Sequence, residues 1–205
     1  MELRTTIRDR RQRLLVALAR RGSEDAFKRL YRELYPPVAG YVRSRMRNPE
    51  DAEDLCADVF QKFVGGLDRF DPSRGSVMTW VVCLARNAVI DEYRRKRPAC
   101  RELDTVGSQL AATLPDERPS QLHVLIGDEE MNRVRQALTH QPAEVQEMLS
   151  LRFEQGMRVR EVAQVLGLSP DVAKQRFARA LRALREELAE ADASGRVEEP
   201  CANAD

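Results

Sequence analysis

The chain has 205 residues, enough for one globular domain or two small ones. Apolar residues make up 42% and charged residues 33%, and no apolar run reaches the ~18 residues of a membrane span, so membrane insertion is not expected. The net charge of +1 conceals an asymmetry: residues 158–185 carry seven basic groups against Glu161 and Asp171, a balance of +5, whereas residues 186–205 carry seven acidic groups against Arg196 alone, a balance of −6. A polyanion responds to the local basic surface rather than to the total, because screening acts over about 8–10 Å at ordinary salt.

The opening MELRTTIRDRRQRLLVALARRG is basic, but arginines break its short apolar part. A secretory signal needs a longer uninterrupted core, so this stretch reads as a solvated amphipathic lead-in helix and the protein as cytoplasmic. From Asp25 to Val42 the residues Phe27, Leu30, Tyr31, Leu34, Val38, Tyr41 and Val42 form a stripe along a 3.6-residue helix. Pro36-Pro37 is expected to kink or divide that helix. Asn48-Pro49 reads as a cap and first helical residue, followed by Glu50, Asp51, Glu53 and Asp54, which suit the positive end of a helix. This helix is expected to bury parts of Ala52, Leu55, Cys56, Val59, Phe60, Phe63 and Leu67, while Glu53, Asp54 and Asp58 leave a negative surface for a basic protein partner. Solvated capping charges are the plainer reading of the same residues.

A third helix is predicted from about Ser76 to Lys96, with Val77, Trp80, Val81, Leu84, Ala88 and Val89 as its packing face. Asn87, Asp91 and Arg94 share one side of it at i, i+4 and i+7, and Arg94-Arg95-Lys96-Arg97 crowds its end with positive charge. Trp80, Arg86 and Tyr93 add stacking and phosphate-binding chemistry, a combination able to hold unpaired bases. Burial in the bundle is the competing reading of Trp80. Pro98, Gly107, Pro115 and Pro119 then punctuate a polar stretch without period, which reads as a linker.

In the second half Met131, Val134 and Leu138 share a face, and Pro142 opens a helix whose apolar side holds Val145, Met148, Leu149 and Phe153. Val159, Val162, Ala163 and Leu166, the turn Gly167-Leu168-Ser169-Pro170 and a last helix to about Leu188 make a helix-turn-helix pattern. Ala173, Phe177, Ala180, Leu181, Leu184 and Leu188 are expected to fix the last helix. Lys174 and Gln175 then lie where base edges are read, and Arg176, Arg179 and Arg182 are placed for phosphate. The fold class is therefore all-α: a helical bundle over 23–97, a flexible linker over 98–122, a helix-turn-helix domain over 123–189 and an acidic, disordered tail over 190–205. Cys56, Cys83, Cys100 and Cys201, with only His123 and His140, offer no structural zinc spacing, and neither a metal nor another cofactor is expected.

The stretches DAFKRLYRELY, AEDLCADVFQKF, RFDP and TWVVCLARNAVIDEYRRKRP resemble region 2 of the bacterial extracytoplasmic-function sigma factors, the compact group within the sigma-70 family. QALTHQPAEVQEMLSLRFEQGMRVREVAQVLGLSPDVAKQRFARALRAL resembles their region 4. The resemblance implies a non-enzymatic initiation factor that binds core RNA polymerase, with Glu53, Asp54 and Asp58 towards the β′ coiled coil and region 4 towards the β flap. It further implies −10 recognition and strand opening by Trp80, Arg86, Asn87, Asp91, Arg94 and Arg95, and −35 recognition by Lys174, Gln175, Arg176, Arg179 and Arg182. It permits an anti-sigma partner without identifying one. Two stretches depart from the family pattern: Asp171-Val172-Ala173-Lys174-Gln175-Arg176 lacks the usual small polar pair, and Cys56-Ala57-Asp58 replaces an apolar-glutamine-glutamate stretch. The competing explanation is an autonomous helix-turn-helix regulator, which leaves the acidic helix and the ARNAVIDEYRRKRP surface unused.

Overall fold

The computed structural model describes residues 2–96 and 128–195, all of whose regular structure is helical. The predicted linker over 98–122 and the last ten residues lie outside the described residues. The first module comprises α1 (Glu2–Ala19), α2 (Glu24–Arg43), α3 (Pro49–Gly66), a 3₁₀ turn (Leu67–Arg69) and α4 (Val77–Lys96). The second comprises α5 (Asp128–His140), α6 (Ala143–Phe153), α7 (Val159–Leu166) and α8 (Pro170–Gly195).

Local chemistry sets the helix ends. The Ser23 hydroxyl accepts from the Ala26 amide at the start of α2, and the Asn48 side chain accepts from the Glu50 amide at 2.9 Å ahead of Pro49. Each contact satisfies an amide that the helix itself leaves unpaired. The Glu161 carboxylate accepts from the Arg158 amide at 2.7 Å to open α7. Gly167 closes α7 at φ +68, and the Leu168 amide reaches back to the Ala163 carbonyl at 2.8 Å. That left-handed turn suits glycine, which has no Cβ to clash. It re-aims the chain so that Ser169 can accept from Val172 and Pro170 can begin α8.

The core of the first module runs through Leu30, Leu34, Val38 and Val42 of α2, Val59 and Phe63 of α3, and Val77, Val81, Ala85 and Val89 of α4. Burying a side chain of this kind stabilises by about 1.5–3 kcal/mol. Four expectations need correction. Pro36 and Pro37 do not divide α2, because Leu34 on one side and Val38 and Ala39 on the other pack into the same core and hold the helix through the two missing donors. The lead-in helix is not simply solvated: Leu15 and Val16 pack into the core, and Arg20 donates to the Leu67 carbonyl at 2.8 Å and to that of Phe70. The first module thus begins in α1 rather than at residue 23. The helical backbone of α8 continues to Gly195, past the expected start of the tail at 190. Finally, Phe153 is 45% exposed and Leu151 is buried in its place, since the buried face of α6 follows Met148 and Leu151.

The second module packs around Met148, Leu151, Met157, Val162, Phe177 and Leu184. Its apolar residues join those of the first module in one continuous cluster. Helix α4 lies against α7, and Arg8 of α1 donates to the Gln155 carbonyl at 3.4 Å. Among the described residues, no helix is long and apolar enough to cross a membrane.

Candidate nucleic-acid and polymerase interfaces

Helix α8 divides its residues as the periodicity requires, with one correction: Leu181, expected to help fix the helix, is 42% exposed, because the buried face follows Phe177, Ala180 and Leu184. Ala173, Phe177, Ala180 and Leu184 are buried, which turns Lys174, Gln175, Arg179 and Arg182 outwards, all exposed. Arg185, one turn beyond Arg182, extends the same cationic side, and sequence reasoning misses it although its i+3 spacing announces it. Arg176 does not belong to this face. Its guanidinium turns towards α6 and pairs with Glu144 at 2.7 Å. Among the described residues Lys174 pairs only with the exposed Asp171, at 3.4 Å, a pair of the kind that contributes little in water.

Helix α4 presents two sides. Asn87, Asp91 and Arg94 are exposed together, with Arg94 a loose 3.9 Å from Asp91. Trp80 sits at the start of this strip, half-buried, with its ring stacked on Phe70 at 5.4 Å and tilted against Phe63 at 5.0 Å. Gly66 lets the indole approach, for a Cβ there would lie 2.9 Å from the ring. The cationic end is already partly neutralised: Arg95 grips Glu92 through two bonds of 2.7 and 2.9 Å, and Lys96 pairs with Asp51 of α3 and with Glu92. The hydrogen bond from Arg95 is the main reason why the Glu92 carboxyl titrates below the usual range. Arg86 is separated from the strip. It faces the second module.

On α3, Ala52, Leu55, Cys56 and Val59 are buried, leaving Glu53, Asp54 and Asp58 exposed. Glu53 lies 3.9 Å from Arg43, whereas Asp54 and Asp58 have no ion pair or hydrogen bond with any described residue. One turn apart, these two carboxylates make a negative surface open to a cationic partner.

A second residue that sequence reasoning missed is Glu147 of α6, only 2% exposed. Its Oε1 accepts from the Tyr41 hydroxyl at 2.7 Å and from Arg86 Nε at 3.3 Å, joining the two modules. Burial pushes the Tyr41 phenol far above its ordinary pKa, so it remains a donor. The faint signal in the sequence is a glutamate one turn before Leu151 on an otherwise apolar side.

Burial likewise raises the Cys56 and Cys83 thiols, leaving less of the reactive thiolate at neutral pH. Both are expected to react with iodoacetamide about tenfold more slowly than a free thiol at pH 7.5. Peptide-resolved mass spectrometry checks this, and labelling of either at the free-thiol rate contradicts it. Cys100 and Cys201 lie outside the described residues.

The first module thus carries an acidic helix and a polar-cationic helix and is coupled to a helix-turn-helix module. The Sigma-70 region 2 family matches residues 30–99, and Sigma-70, region 4 matches residues 131–184. The chain is 33% identical over 172 residues to the ECF RNA polymerase sigma factor BldN of Streptomyces coelicolor, covering 83% of this chain and 63% of that protein. It is 30% identical over 175 residues to the ECF RNA polymerase sigma factor RpoE of Cereibacter sphaeroides, covering 85% of this chain and 93% of the relative. Among solved structures, CnrH in complex with the cytosolic domain of CnrY is similar at a TM-score of 0.58 and 27% identity, covering 89% of this chain and 99% of that one. The chain belongs to the extracytoplasmic-function sigma factors of the sigma-70 family.

Proposed function

We propose that this sigma factor binds core RNA polymerase, selects promoters through −35 and −10 elements, and promotes strand opening in the cytoplasm. Glu53, Asp54 and Asp58 would meet the β′ coiled coil, and the second module the β flap. Lys174, Gln175, Arg179 and Arg182 would read or position duplex DNA, with base edges met near the start of α8. Asn87, Asp91 and Arg94 would face the −10 element, with the edge of Trp80 beside them and Arg95 held in reserve by Glu92. Arg176 joins the DNA contacts only if it leaves Glu144. Capturing bases outside the duplex offsets the cost of unpairing them, about a few kcal/mol each. Phosphoryl transfer stays with the polymerase. An anti-sigma protein that restrains the free chain belongs to the same proposal.

The observation that carries this reading is the opposed character of two exposed surfaces in one chain: the carboxylates of Asp54 and Asp58 on α3, unpaired among the described residues, and exposed cations on α8. An autonomous regulator has use for the second surface only. Reconstitution with purified core polymerase, followed by mapping of transcripts from a genomic DNA library, tests it. Selective starts that depend on the added chain are expected, and their upstream sequences give the promoter motif. Duplex binding without polymerase association favours the autonomous regulator instead.

A further inference from the structure

The carboxylate of Glu147 is buried in the second module, yet both donors that satisfy it, Tyr41 and Arg86, belong to the first. A buried carboxylate that finds its partners across a module boundary ties the two halves together while they touch. Once they separate, water takes over its solvation, so its charge is never stranded. Arg86 is correspondingly withdrawn, its side chain 21% exposed, whereas the neighbouring Asn87 is exposed.

The rest of the boundary combines apolar contacts with a partly polar crevice. Arg8, Asp9 and Gln12 of α1 line a small crevice with Ser76, Met78 and Met157. Gln12 is 1% exposed, yet among the described residues neither polar atom of its amide has a hydrogen-bond partner, and the same holds for Asp9 Oδ1 and Gln155 Oε1. Apolar side chains draw the halves together, and the Glu147 contacts add a directional polar tie between them.

We propose that Glu147 is the catch of a closed form of the free chain, in which the second module withholds Arg86 from DNA. The catch stands on the contacts alone. The withholding rests on the reading of Arg86 as a −10 contact. In the closed form the apparent affinity for single-stranded DNA is lowered by the fraction of molecules that are open. Polymerase or promoter binding that separates the modules would release Arg86 as a consequence of docking.

Small-angle X-ray scattering and binding of a short, labelled single-stranded DNA of random sequence, both on the full chain, test the two parts separately. Glu147→Ala is expected to enlarge the radius of gyration and to tighten single-stranded DNA binding by about three- to tenfold. The double variant Glu147→Ala/Arg86→Ala is expected to open equally without the gain in affinity. Should the alanine variant lose its helical circular dichroism, Glu147→Gln serves instead, since it keeps an acceptor for Tyr41 and removes the charge facing Arg86. A folded Glu147 variant with the wild-type scattering curve overturns the catch. A variant that opens but binds DNA no better overturns the withholding, and with it the assignment of Arg86 to DNA, while the catch stands.

Discussion

Reversing charge at both Asp54 and Asp58 (Asp54→Lys with Asp58→Lys) is expected to weaken binding to core RNA polymerase by about 100-fold, because each lysine would face the cations that the aspartates attract. The physical case is local. Both carboxylates are exposed and unpaired among the described residues, and they lie one turn apart on the side of α3 opposite Leu55 and Val59. Lysine at these positions therefore disturbs no buried contact, and loss of favourable interaction with the helix dipole is worth a few tenths of a kcal/mol at this distance from the N-terminus. Glu53→Ala should cost much less, since Arg43 already lies 3.9 Å from that carboxylate. Competition binding with purified core, repeated at several salt concentrations, checks the expectation. The wild-type affinity should fall with salt and that of the double variant should fall less. Undiminished affinity in a folded double variant removes α3 from the polymerase interface.

The sequence made the helices of both modules legible where a 3.6-residue stripe coincided with a terminator. Asn48-Pro49 announces α3, and Gly167-Leu168-Ser169-Pro170 announces the turn between α7 and α8; the structure has a cap or a left-handed turn at each. What periodicity cannot report is an element's partner. Leu15 and Val16 look like a weak stripe among arginines, and only packing against the rest of the bundle makes them core. Pro36-Pro37 looks like a break because local donors are lost, but packing on both sides of the pair outweighs that loss. The same limit divides the site residues. Lys174, Gln175, Arg179 and Arg182 follow from the stripe they oppose, whereas the positions of Arg176 and Arg86 depend on Glu144 and Glu147, 32 and 61 residues away. Glu147 is the extreme case, for a glutamate is expected at the surface unless paired, and its short bond to Tyr41 spans 106 residues.

Removing Lys174, Arg179 and Arg182 together as alanines is expected to weaken duplex DNA binding by about 100-fold at low salt and to flatten the salt dependence by about 2–3 in log–log slope. Each lysine or arginine on a phosphate releases close to one condensed counterion, so the change in slope gives the number of phosphates no longer neutralised. These three side chains are exposed and none supports the core, which Ala173, Phe177, Ala180 and Leu184 hold from the other side of α8. Arg176→Ala, by contrast, should change the slope by less than about 0.3, because Glu144 holds that guanidinium at 2.7 Å and already balances its charge. The contrast separates a docked recognition helix from a merely basic surface, which would lose affinity for any arginine removed. Fluorescence anisotropy with a duplex carrying the recovered upstream motif, between about 50 and 200 mM salt, reads both quantities. A slope unchanged in the triple variant would leave α8 as a solvated helix that completes the second bundle, and the promoter contact would have to be sought elsewhere on the chain.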